Sequence, residues 1–374
     1  MTKILCVVGA RPNFMKIAPL MDALKGHPRL SGILVHTGQH YDEAMSKSFF
    51  DDLRIPKPDL NLDVGSGTHA AQTAHIMETF EPVVTAQRPD LVLVVGDVNS
   101  TLACSVTAAK LLVPVAHVEA GLRSFDRTMP EEINRLVTDA VSDLLFTTEQ
   151  SAAENLLKEG VPAEKIHFVG NVMIDTLVRH LDAAKRSRML EQLMLTPRGY
   201  ALVTLHRPSN VDHAEGVREM LAAFRRLAER VPIVFPIHPR TRQRLADFGL
   251  EREVSAIPHL TLTEPLGYLD FLQLMRHAAL VLTDSGGIQE ETTYLGVPCL
   301  TLRDNTERPV TVTHGTNRLI GRLNAQRIMA EADRILAGGA GATRIPALWD
   351  GHAAQRIVEI LDRWAQARAK TTSC

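Results

Sequence analysis

Residues 279–291 read Ala-Leu-Val-Leu-Thr-Asp-Ser-Gly-Gly-Ile-Gln-Glu-Glu and are the most informative stretch of the chain. Its apolar start predicts a buried strand, and the residues that follow predict a helix ending near Gly296 and Pro298. The first N–H groups of a helix have no partner within the helix, and the helix dipole favours negative charge there. The stretch therefore predicts a strand–turn–helix unit that binds an anion such as a diphosphate.

Four residues of this unit are candidates for binding. Ser285, Gly286 and Gly287 form the turn, and Glu291 follows about one helical turn later. A carboxylate at Glu291 can accept hydrogen bonds from the hydroxyl groups of a ribose. The alternative is an ordinary turn between a strand and a helix. Two glycines at a helix start cost stability, which favours the functional interpretation.

The same alternation of short apolar runs and helical patterns extends along the whole chain. The runs are apolar throughout, as parallel strands covered on both faces should be, so the sequence predicts an α/β fold with right-handed crossovers. The predicted strands are 4–8, 33–35, 91–95, 113–118, 144–146, 202–205, 233–235, 280–282 and 299–302. Ser151 and Glu154 predict a capping box at the start of a helix that stops at Gly160.

Length and composition limit the class of protein. A chain of 374 residues predicts two domains, and 45% hydrophobic residues are enough for two cores. The 41 basic and 43 acidic side chains leave no basic field for nucleic acid or anionic lipid. No signal peptide or membrane-spanning run is apparent. We therefore expect a cytoplasmic protein with reduced, buried cysteines and a small-molecule partner.

The predicted domain boundary lies near Gly170 and Asn171. Residues 1–172 would form an N-terminal Rossmann-like domain, and residues 173–352 a second Rossmann-like domain carrying the anion site. A terminal helix at about 353–370 has apolar spacing on one face and would join the first domain. Two doubly wound domains would face a central crevice and bind ligands at the carboxyl ends of their strands.

Polar residues follow the predicted strands of the first domain. Arg11 and Lys16 come after the first strand, where they could hold a nucleotide or be ordinary solvated charges. Asp97 follows the strand 91–95, and its alternative role is to cap the next helix. Glu119 ends an apolar strand, which is costly for a carboxylate unless it is functional or paired, Arg123 being the main candidate partner.

Three more candidates complete the pattern. Glu131 follows Pro130 in the first turn of a predicted helix, where the helix dipole alone could explain an acid. His206 and His238 each follow a strand of the second half, where an imidazole can contact phosphate or exchange protons. Either histidine alone could be an ordinary hydrogen-bonded residue.

Other motifs are weak or missing. Gly65–Ala70 fits a G-x-G-x-x-A pattern, but it follows no clean first strand. The sequence has no P-loop, no zinc-type ligand spacing and no G-x-S-x-G nucleophile elbow. We therefore expect no metal site.

Taken together, the motifs resemble those of the non-hydrolysing UDP-N-acetylglucosamine 2-epimerases from end to end. The elements that carry the resemblance are Gly9-Ala10-Arg11-Pro12 with Lys16, Gly38-Gln39-His40, Gly96-Asp97, 118–123, 130–135, Gly170-Asn171, His206-Arg207, 284–291 and 303–309. The resemblance implies the two-domain GT-B fold and a homodimer that works without metal or nicotinamide.

The resemblance also implies a reaction. UDP would be eliminated across C1–C2 of UDP-GlcNAc, leaving 2-acetamidoglucal, and would add back after reprotonation on the opposite face to give UDP-ManNAc for bacterial surface polysaccharides. The catalytic set would be Asp97, Glu119, Glu131 and His206. The UDP site would comprise Arg11, Lys16, Phe271 against uracil, Ser285, Gly286, Gly287, Glu291 on ribose, and Arg308.

Departures from the family pattern keep other substrates open. Ala10, Val98 and Ser209 stand where many relatives carry Thr, Thr and Glu. The sugar could therefore be UDP-2,3-diacetamido-2,3-dideoxyglucuronic acid, on which some relatives act. Gln39 and His40 match part of an activator site found in some bacterial members. A GT-B glycosyltransferase, a hydrolysing epimerase and a nucleotide-sugar-binding regulator are the remaining alternatives.

Overall fold

The structure is a computed structural model that describes residues 1–38, 57–339 and 343–372, with the side chains of residues 11, 371 and 372 excepted. Gln39 and His40 lie outside the described residues. The chain divides into two compact units, one made of Met1–Arg179 with Ala347–Cys374 and the other of His180–Pro346. The division falls inside helix Val172–Ala184, a few residues after the boundary expected from the sequence.

The first unit is built on a parallel sheet of seven strands in the order β3-β2-β1-β4-β5-β6-β7. These strands are β1 Thr2–Val8, β2 Leu30–His36, β3 Leu60–Asn61, β4 Leu91–Val95, β5 Val115–Val118, β6 Leu144–Thr147 and β7 Ile166–Phe168. The main helices of this unit are Arg11–Leu24, His69–Gln87, Asn99–Lys110, Pro130–Val141, Gln150–Lys158, Val172–Ala184 and Ala353–Thr372.

The second unit repeats the scheme with six parallel strands in the order β10-β9-β8-β11-β12-β13. These are β8 Ala201–Thr204, β9 Ile233–Pro236, β10 Leu260–Thr263, β11 Leu280–Thr283, β12 Cys299–Thr301 and β13 Asn317–Leu319. The helices are Met189–Gln192, Pro208–Val211, Ala214–Ala228, Pro239–Asp247, Glu251–Ser255, Tyr268–His277, Gly286–Leu295, Val310–Thr313 and Ala325–Arg334.

Both sheets are doubly wound, which confirms the predicted α/β fold. In each sheet the chain first moves to one side, then returns to the other side of its first strand, so the strand order reverses between β1 and β4 and between β8 and β11. Loops that leave two such strands diverge to opposite faces and open a crevice at their carboxyl ends. The fold thereby predicts a site on each unit at this reversal.

The central strands form because they are apolar on both faces. All five residues of β4 are buried, and β8 and β11 are buried along most of their length. Strands β3, β7, β10 and β13 were not predicted from the sequence, and they are the four edge strands of the two sheets. An edge strand has one neighbour and is less covered, so it needs no apolar run.

One local prediction was wrong. Helix Gln150–Lys158 begins one residue before Ser151, and its N-cap is Glu149. The Ser151 hydroxyl donates to the Glu149 carboxylate and does not cap the helix. Within the described residues, no helix combines the length and the apolar character needed to cross a membrane.

Gly170 follows the last strand of the first sheet and packs against the C-terminal segment of the same unit. Its φ is +89°, and a Cβ at this position would lie 2.1 Å from the carbonyl oxygen of Leu348. Gly160 has a similar φ of +85°, but a Cβ there would have no atom of the described residues within 4 Å, its own chain neighbours aside. Substitutions at the two glycines therefore distinguish the cost of backbone strain, which both share, from the cost of a steric clash, which only Gly170 has.

We predict that Gly170→Ala lowers the free energy of unfolding by more than about 3 kcal/mol, because neither backbone segment can yield cheaply. The matched variant Gly160→Ala should lose only about 1 kcal/mol, the cost of a left-handed alanine. Urea unfolding followed by circular dichroism measures both. Equal losses in the two variants would contradict the predicted contact.

Candidate active site

The loops after β1 and β4 are tied together at the reversal point of the first sheet. Asn13, in the first turn of helix Arg11–Leu24, accepts a hydrogen bond from the Ala10 N–H at 3.0 Å. Its amide Nδ2 donates to the Val95 carbonyl at 2.9 Å. This side chain substitutes for a capping residue, since Ala10 at the N-cap has no polar group. The helix start, where Arg11 lies, is therefore fixed against the end of β4.

Lys16 and Glu119 form a buried ion pair in this region. Their side chains are 8% and 3% exposed. Gly96 lies beside the pair, since a Cβ there would be 2.8 Å from Lys16 Nζ. Glu119 itself has a φ of +77°, a left-handed conformation that is unusual for a residue with a side chain. The structure thus places Lys16, Gly96 and Glu119 together.

The structural alternative for Glu119, a salt bridge to Arg123, is not what the structure shows. The Arg123 guanidinium contacts Asp139 at 2.8 Å and Glu159 at 2.6 Å. Glu119 follows β5 directly and points to Lys16, whereas Arg123 lies further along the loop and is drawn to other carboxylates.

Asp97 is held by helix Pro130–Val141. Arg135 Nη1 lies 2.5 Å from Asp97 Oδ2, and Asn134 Nδ2 donates to the Asp97 carbonyl at 2.9 Å. The N-cap of the following helix is Val98, so Asp97 does not have the capping role that was its structural alternative. Its side chain remains 28% exposed. A charged, partly accessible carboxylate is therefore fixed in place from both its backbone and its side chain.

Glu132 anchors the same helix to the preceding loop. Its carboxylate accepts hydrogen bonds from the Ser124 N–H and hydroxyl, the Phe125 N–H and the Arg135 guanidinium, at 2.7–3.0 Å. Burial raises the pKa of Glu132, but these donors together lower it below its usual value. Phe125 is held with a φ of +57°. The buried carboxylate therefore has a structural function in the loop.

Glu131, the residue before Glu132, does not share its buried hydrogen-bond network. It lies in the first turn of helix Pro130–Val141 and is half-buried. Among the described residues, its carboxylate has no ion-pair or hydrogen-bond partner, in contrast to Glu132. Helix Pro130–Val141 thus carries one accessible acid, Glu131, and holds another, Asp97, through Arg135.

A buried histidine, His117, contacts the backbone of the Gly96 turn. His117 Nδ1 lies 2.6 Å from Asp139 Oδ1, and Nε2 lies 2.8 Å from the Gly96 carbonyl. Asp139 also accepts from the Gly121 N–H at 3.1 Å and pairs with Arg123. Although burial raises the pKa of Asp139, the adjacent His117 and Arg123 lower it below its usual value. This network fixes the loops that carry Asp97 and Glu119.

The second unit has its own network at the reversal between β8 and β11. Asp284, at the end of β11, is fully buried. It accepts hydrogen bonds from the backbone N–H groups of His206 and Arg207 at 3.0 and 2.8 Å, and from Asn210 Nδ2 at 3.1 Å. The His206 side chain is 40% exposed and its Nδ1 lies 3.1 Å from Asp284.

Helix Gly286–Leu295 begins directly after Asp284. No side chain of the described residues caps its N-terminus at Ser285, and residues 285–288 are half-exposed. Arg308 packs against the helix start, since a Cβ at Gly286 would be 2.7 Å from Arg308 Nη1. Arg308 Nε also lies 2.7 Å from the buried Glu290 carboxylate. A guanidinium cation is thus added to the positive end of the helix dipole, which favours an anion here.

Glu291 lies on the same helix and is buried. The Tyr268 hydroxyl donates to Glu291 Oε1 at 2.7 Å. Burial and the nearby Glu290 raise the pKa of Glu291 to about 7, against the opposing effect of the Tyr268 hydrogen bond. Phe271, half-buried, lies on helix Tyr268–His277 about one turn after Tyr268.

Each predicted residue therefore falls at the carboxyl end of a strand or on a helix next to one. The first unit contains Arg11, Lys16, Asp97, Glu119 and Glu131, and the second contains His206, Phe271, Ser285, Gly286, Gly287, Glu291 and Arg308. In the described part of the chain, no group of three or more His, Cys, Asp or Glu residues is arranged to hold a metal ion.

Sequence reasoning missed the partners of these residues. The missed residues are His117, Glu132, Arg135, Asp139, Tyr268 and the supporting role of Asp284. A signal existed for His117, which interrupts the apolar run of β5, and for Asp284, which follows β11 directly. The others lie on helices, where nothing in the sequence separates them from surface charges.

Comparison with known proteins gives a consistent answer. The sequence matches the family described as UDP-N-acetylglucosamine 2-epimerase over residues 22–362. The chain belongs to this family.

Similar proteins cover nearly its whole length. The UDP-N-acetylglucosamine 2-epimerase of Methanocaldococcus jannaschii is 42% identical over 96% of this chain and 98% of the relative. Its crystal structure in complex with UDP-GlcNAc and UDP has a TM-score of 0.89 and covers 97% of this chain and 100% of that one. The UDP-2,3-diacetamido-2,3-dideoxy-D-glucuronate 2-epimerase of Pseudomonas aeruginosa is also 42% identical, over 96% of this chain and 99% of the relative.

These comparisons confirm the resemblance to the epimerase family and the GT-B type of fold. In this member of the family, each of the two doubly wound units carries polar residues where its strand order reverses. The chain is an enzyme of this family, an isomerase.

The raised pKa of Glu291 predicts a pH dependence of stability. A carboxyl with a folded-state pKa of about 7 and an unfolded value of 4.5 takes up a proton on folding between these pH values. Its contribution to stability is complete below pH 4.5 and is lost as the pH rises through 7. Glu291→Gln should remove this dependence.

Urea unfolding of the wild type and Glu291→Gln at several pH values between 5 and 8 measures the difference. The wild type should lose on the order of 2–3 kcal/mol relative to the variant across this range. Glu264→Gln, which changes a carboxylate with a 79% exposed side chain, serves as the control. A difference between wild type and Glu291→Gln that stays constant with pH would contradict the prediction.

Proposed function

We propose that this enzyme interconverts UDP-GlcNAc and UDP-ManNAc by elimination and readdition of UDP. The main support is the geometry of the second unit, where an uncapped helix N-terminus, the Arg308 guanidinium and the buried Glu291 lie along one helix. This arrangement suits a diphosphate followed by a ribose. The relative from M. jannaschii was crystallised with UDP-GlcNAc and UDP, which agrees with such a ligand.

We assign the binding of UDP to the following residues. In the second unit, the N–H groups at Ser285, Gly286 and Gly287 and the guanidinium of Arg308 would hold the diphosphate. Glu291 would accept hydrogen bonds from the ribose hydroxyls, and Phe271 would stack on uracil. In the first unit, Arg11 and Lys16 would supply further positive charge.

The C2 proton of the sugar is not next to a carbonyl, so epimerisation through a simple carbanion is unreasonable and elimination takes its place. Elimination breaks the C2–H and C1–O bonds, forms the C1=C2 bond of 2-acetamidoglucal and leaves the electron pair on UDP. Readdition of UDP at C1 with a proton delivered to the other face of C2 gives the epimer. Each face therefore needs a group that can hold a proton.

The first unit supplies three carboxylates for this chemistry. We assign proton transfer at C2 and stabilisation of positive charge at C1 to Asp97, Glu119 and Glu131. Arg135 and Lys16 hold the carboxylates of Asp97 and Glu119 in place through ion pairs. Glu131 has no such partner among the described residues, so no neighbouring cation holds its carboxylate. His206 would contact the departing diphosphate.

A second candidate substrate is UDP-2,3-diacetamido-2,3-dideoxyglucuronic acid. A relative named for this activity matches the chain at 42% identity, the same value as the M. jannaschii epimerase. Ala10, Val98 and Ser209 depart from the family pattern; Ala10 and Val98 adjoin Arg11 and Asp97, and Ser209 follows His206 by three residues. A substrate panel that includes both nucleotide sugars decides between them.

Two further features belong to the proposal. The enzyme would act as a homodimer, for which sedimentation equilibrium is the direct measurement. Its product would serve as a precursor for a surface polysaccharide.

A glycosyltransferase using the same UDP site is the alternative from another reaction class, and it predicts consumption of the sugar only when an acceptor is present.

We predict that the enzyme incorporates deuterium at C2 of both UDP-GlcNAc and UDP-ManNAc in deuterium oxide, with the UDP linkage retained. Proton NMR measures the loss of the C2 proton and the appearance of the second epimer. Release of free ManNAc and UDP would identify the hydrolysing reaction instead. Absence of exchange with either sugar of the panel would overturn the proposal.

We also predict that Asp97→Asn, Glu119→Gln and Glu131→Gln each lower kcat by about 10²–10⁴-fold, the range for loss of a general acid or base. Steady-state rates at saturating nucleotide sugar provide the measurement. Glu78→Gln, whose side chain is 77% exposed, is the matched control in the same unit and should keep full activity. A variant of the three that retained wild-type kcat would be removed from the catalytic set.

A further inference from the structure

We propose that Asp284 is the positioning residue for His206, fixing its imidazole so that Nδ1 carries a proton and Nε2 is the atom that exchanges one. The inference rests on the proposed function, in which His206 contacts the departing diphosphate. It adds a second residue to the machinery of that step. Asp284 was selected from the sequence only as the residue before the Ser-Gly-Gly turn.

The groups that contact the Asp284 carboxylate are hydrogen-bond donors. The carboxylate is fully buried at the end of β11 and accepts from the backbone N–H groups of His206 and Arg207 and from the Asn210 amide. Asn210 Nδ2 also donates to the Leu302 carbonyl at 3.0 Å, which ties the loop after β8 to the end of β12. The two backbone contacts place His206, and the contact with its ring orients it.

The charge of Asp284 decides the tautomer of the ring. Burial raises the pKa of this carboxyl, but the His206 ring, the Arg207 N–H and the Asn210 amide outweigh it and lower the pKa below its usual value. A charged carboxylate only accepts hydrogen bonds. The His206 Nδ1, at 3.1 Å, must therefore be the donor.

The only other ring close to His206 in the described second unit is that of His238, with centroids 5.3 Å apart. His238 Nδ1 accepts a hydrogen bond from the Arg240 N–H at 3.1 Å, so this nitrogen carries no proton. The charged groups nearest in sequence, Arg207 and Arg240, contact Asp284 and His238 through their backbone N–H groups.

The arrangement has a mechanistic consequence. With Nδ1–H held by Asp284, the imidazole presents Nε2 on its opposite side, and the side chain is exposed enough to meet a ligand. In the charged ring both nitrogens carry protons; Nε2 gives its proton to a diphosphate oxygen, which leaves the neutral Nδ1–H form, and the same atom recovers the proton in the reverse reaction. A carboxylate behind Nδ1 stabilises the ring while it is charged.

Asp284→Asn tests this role because the amide is nearly the same size but can donate to Nδ1 and favour the other tautomer. We expect kcat to fall by about 10²–10⁴-fold with little change in KM, in line with the loss seen when an orienting carboxylate behind a histidine is replaced by an amide.

Asn210→Ala is the matched control. It removes a donor to the same carboxylate and loosens the same loop, but it leaves the contact between Asp284 and the His206 ring. We expect its kcat to stay within about threefold of the wild type. Equal losses of kcat in Asn210→Ala and Asp284→Asn would reduce Asp284 to a loop anchor and overturn the proposal.

The tautomer itself can be read without an activity assay. Nitrogen-15 NMR of the ring in histidine-labelled wild type, with the His206 signal assigned by its loss in His206→Gln, should give the Nδ1–H form at neutral charge. The Nε2–H form in the wild type would overturn the proposal even if Asp284→Asn failed to fold. Wild-type protein inactive on every nucleotide sugar would refute the proposed function, while the tautomer would still decide the inference about Asp284.

Discussion

Neutralisation of carboxylates at the ends of buried strands is the physical constraint on which both halves of this protein depend. Parallel strands covered on both faces carry most of their polar groups at their ends, and an acid placed there needs a cation or a set of donors. Glu119 finds Lys16, Asp97 finds Arg135, and Asp284 finds backbone and side-chain N–H groups. Each pairing fixes one of the loops from which a site is built.

The central strands and the edge strands differ in how far the sequence predicts them. β4 and β11 were found because full burial demands an uninterrupted apolar run. β7 reads Ile-His-Phe and β13 reads Asn-Arg-Leu, and both lie at a sheet edge where one side of the strand stays partly open. Their formation depends on a neighbouring strand already in place, which a local pattern does not record.

A similar division holds for the candidate site. The acids and histidines at strand ends stand out in the sequence, since an apolar run makes the next polar residue conspicuous. Their partners do not, because Lys16 and Glu119 are distant in the chain and only the order of the strands brings them together. Arg123, close to Glu119 in sequence, was the alternative partner and pairs with Asp139. Sequence proximity is a poor guide to ion pairing where the backbone turns sharply, as it does at Glu119.

The close packing of Arg308 on Gly286 also constrains how this enzyme can evolve. A side chain at position 286 would need the space that the guanidinium occupies, and a shorter residue at 308 would leave Glu290 with less compensation for its charge. The three positions are therefore coupled, because a change at one of them alters the space or the charge that the other two meet. Variants of the start of helix Gly286–Leu295 should accordingly be sought among combined changes at all three positions and not among single substitutions.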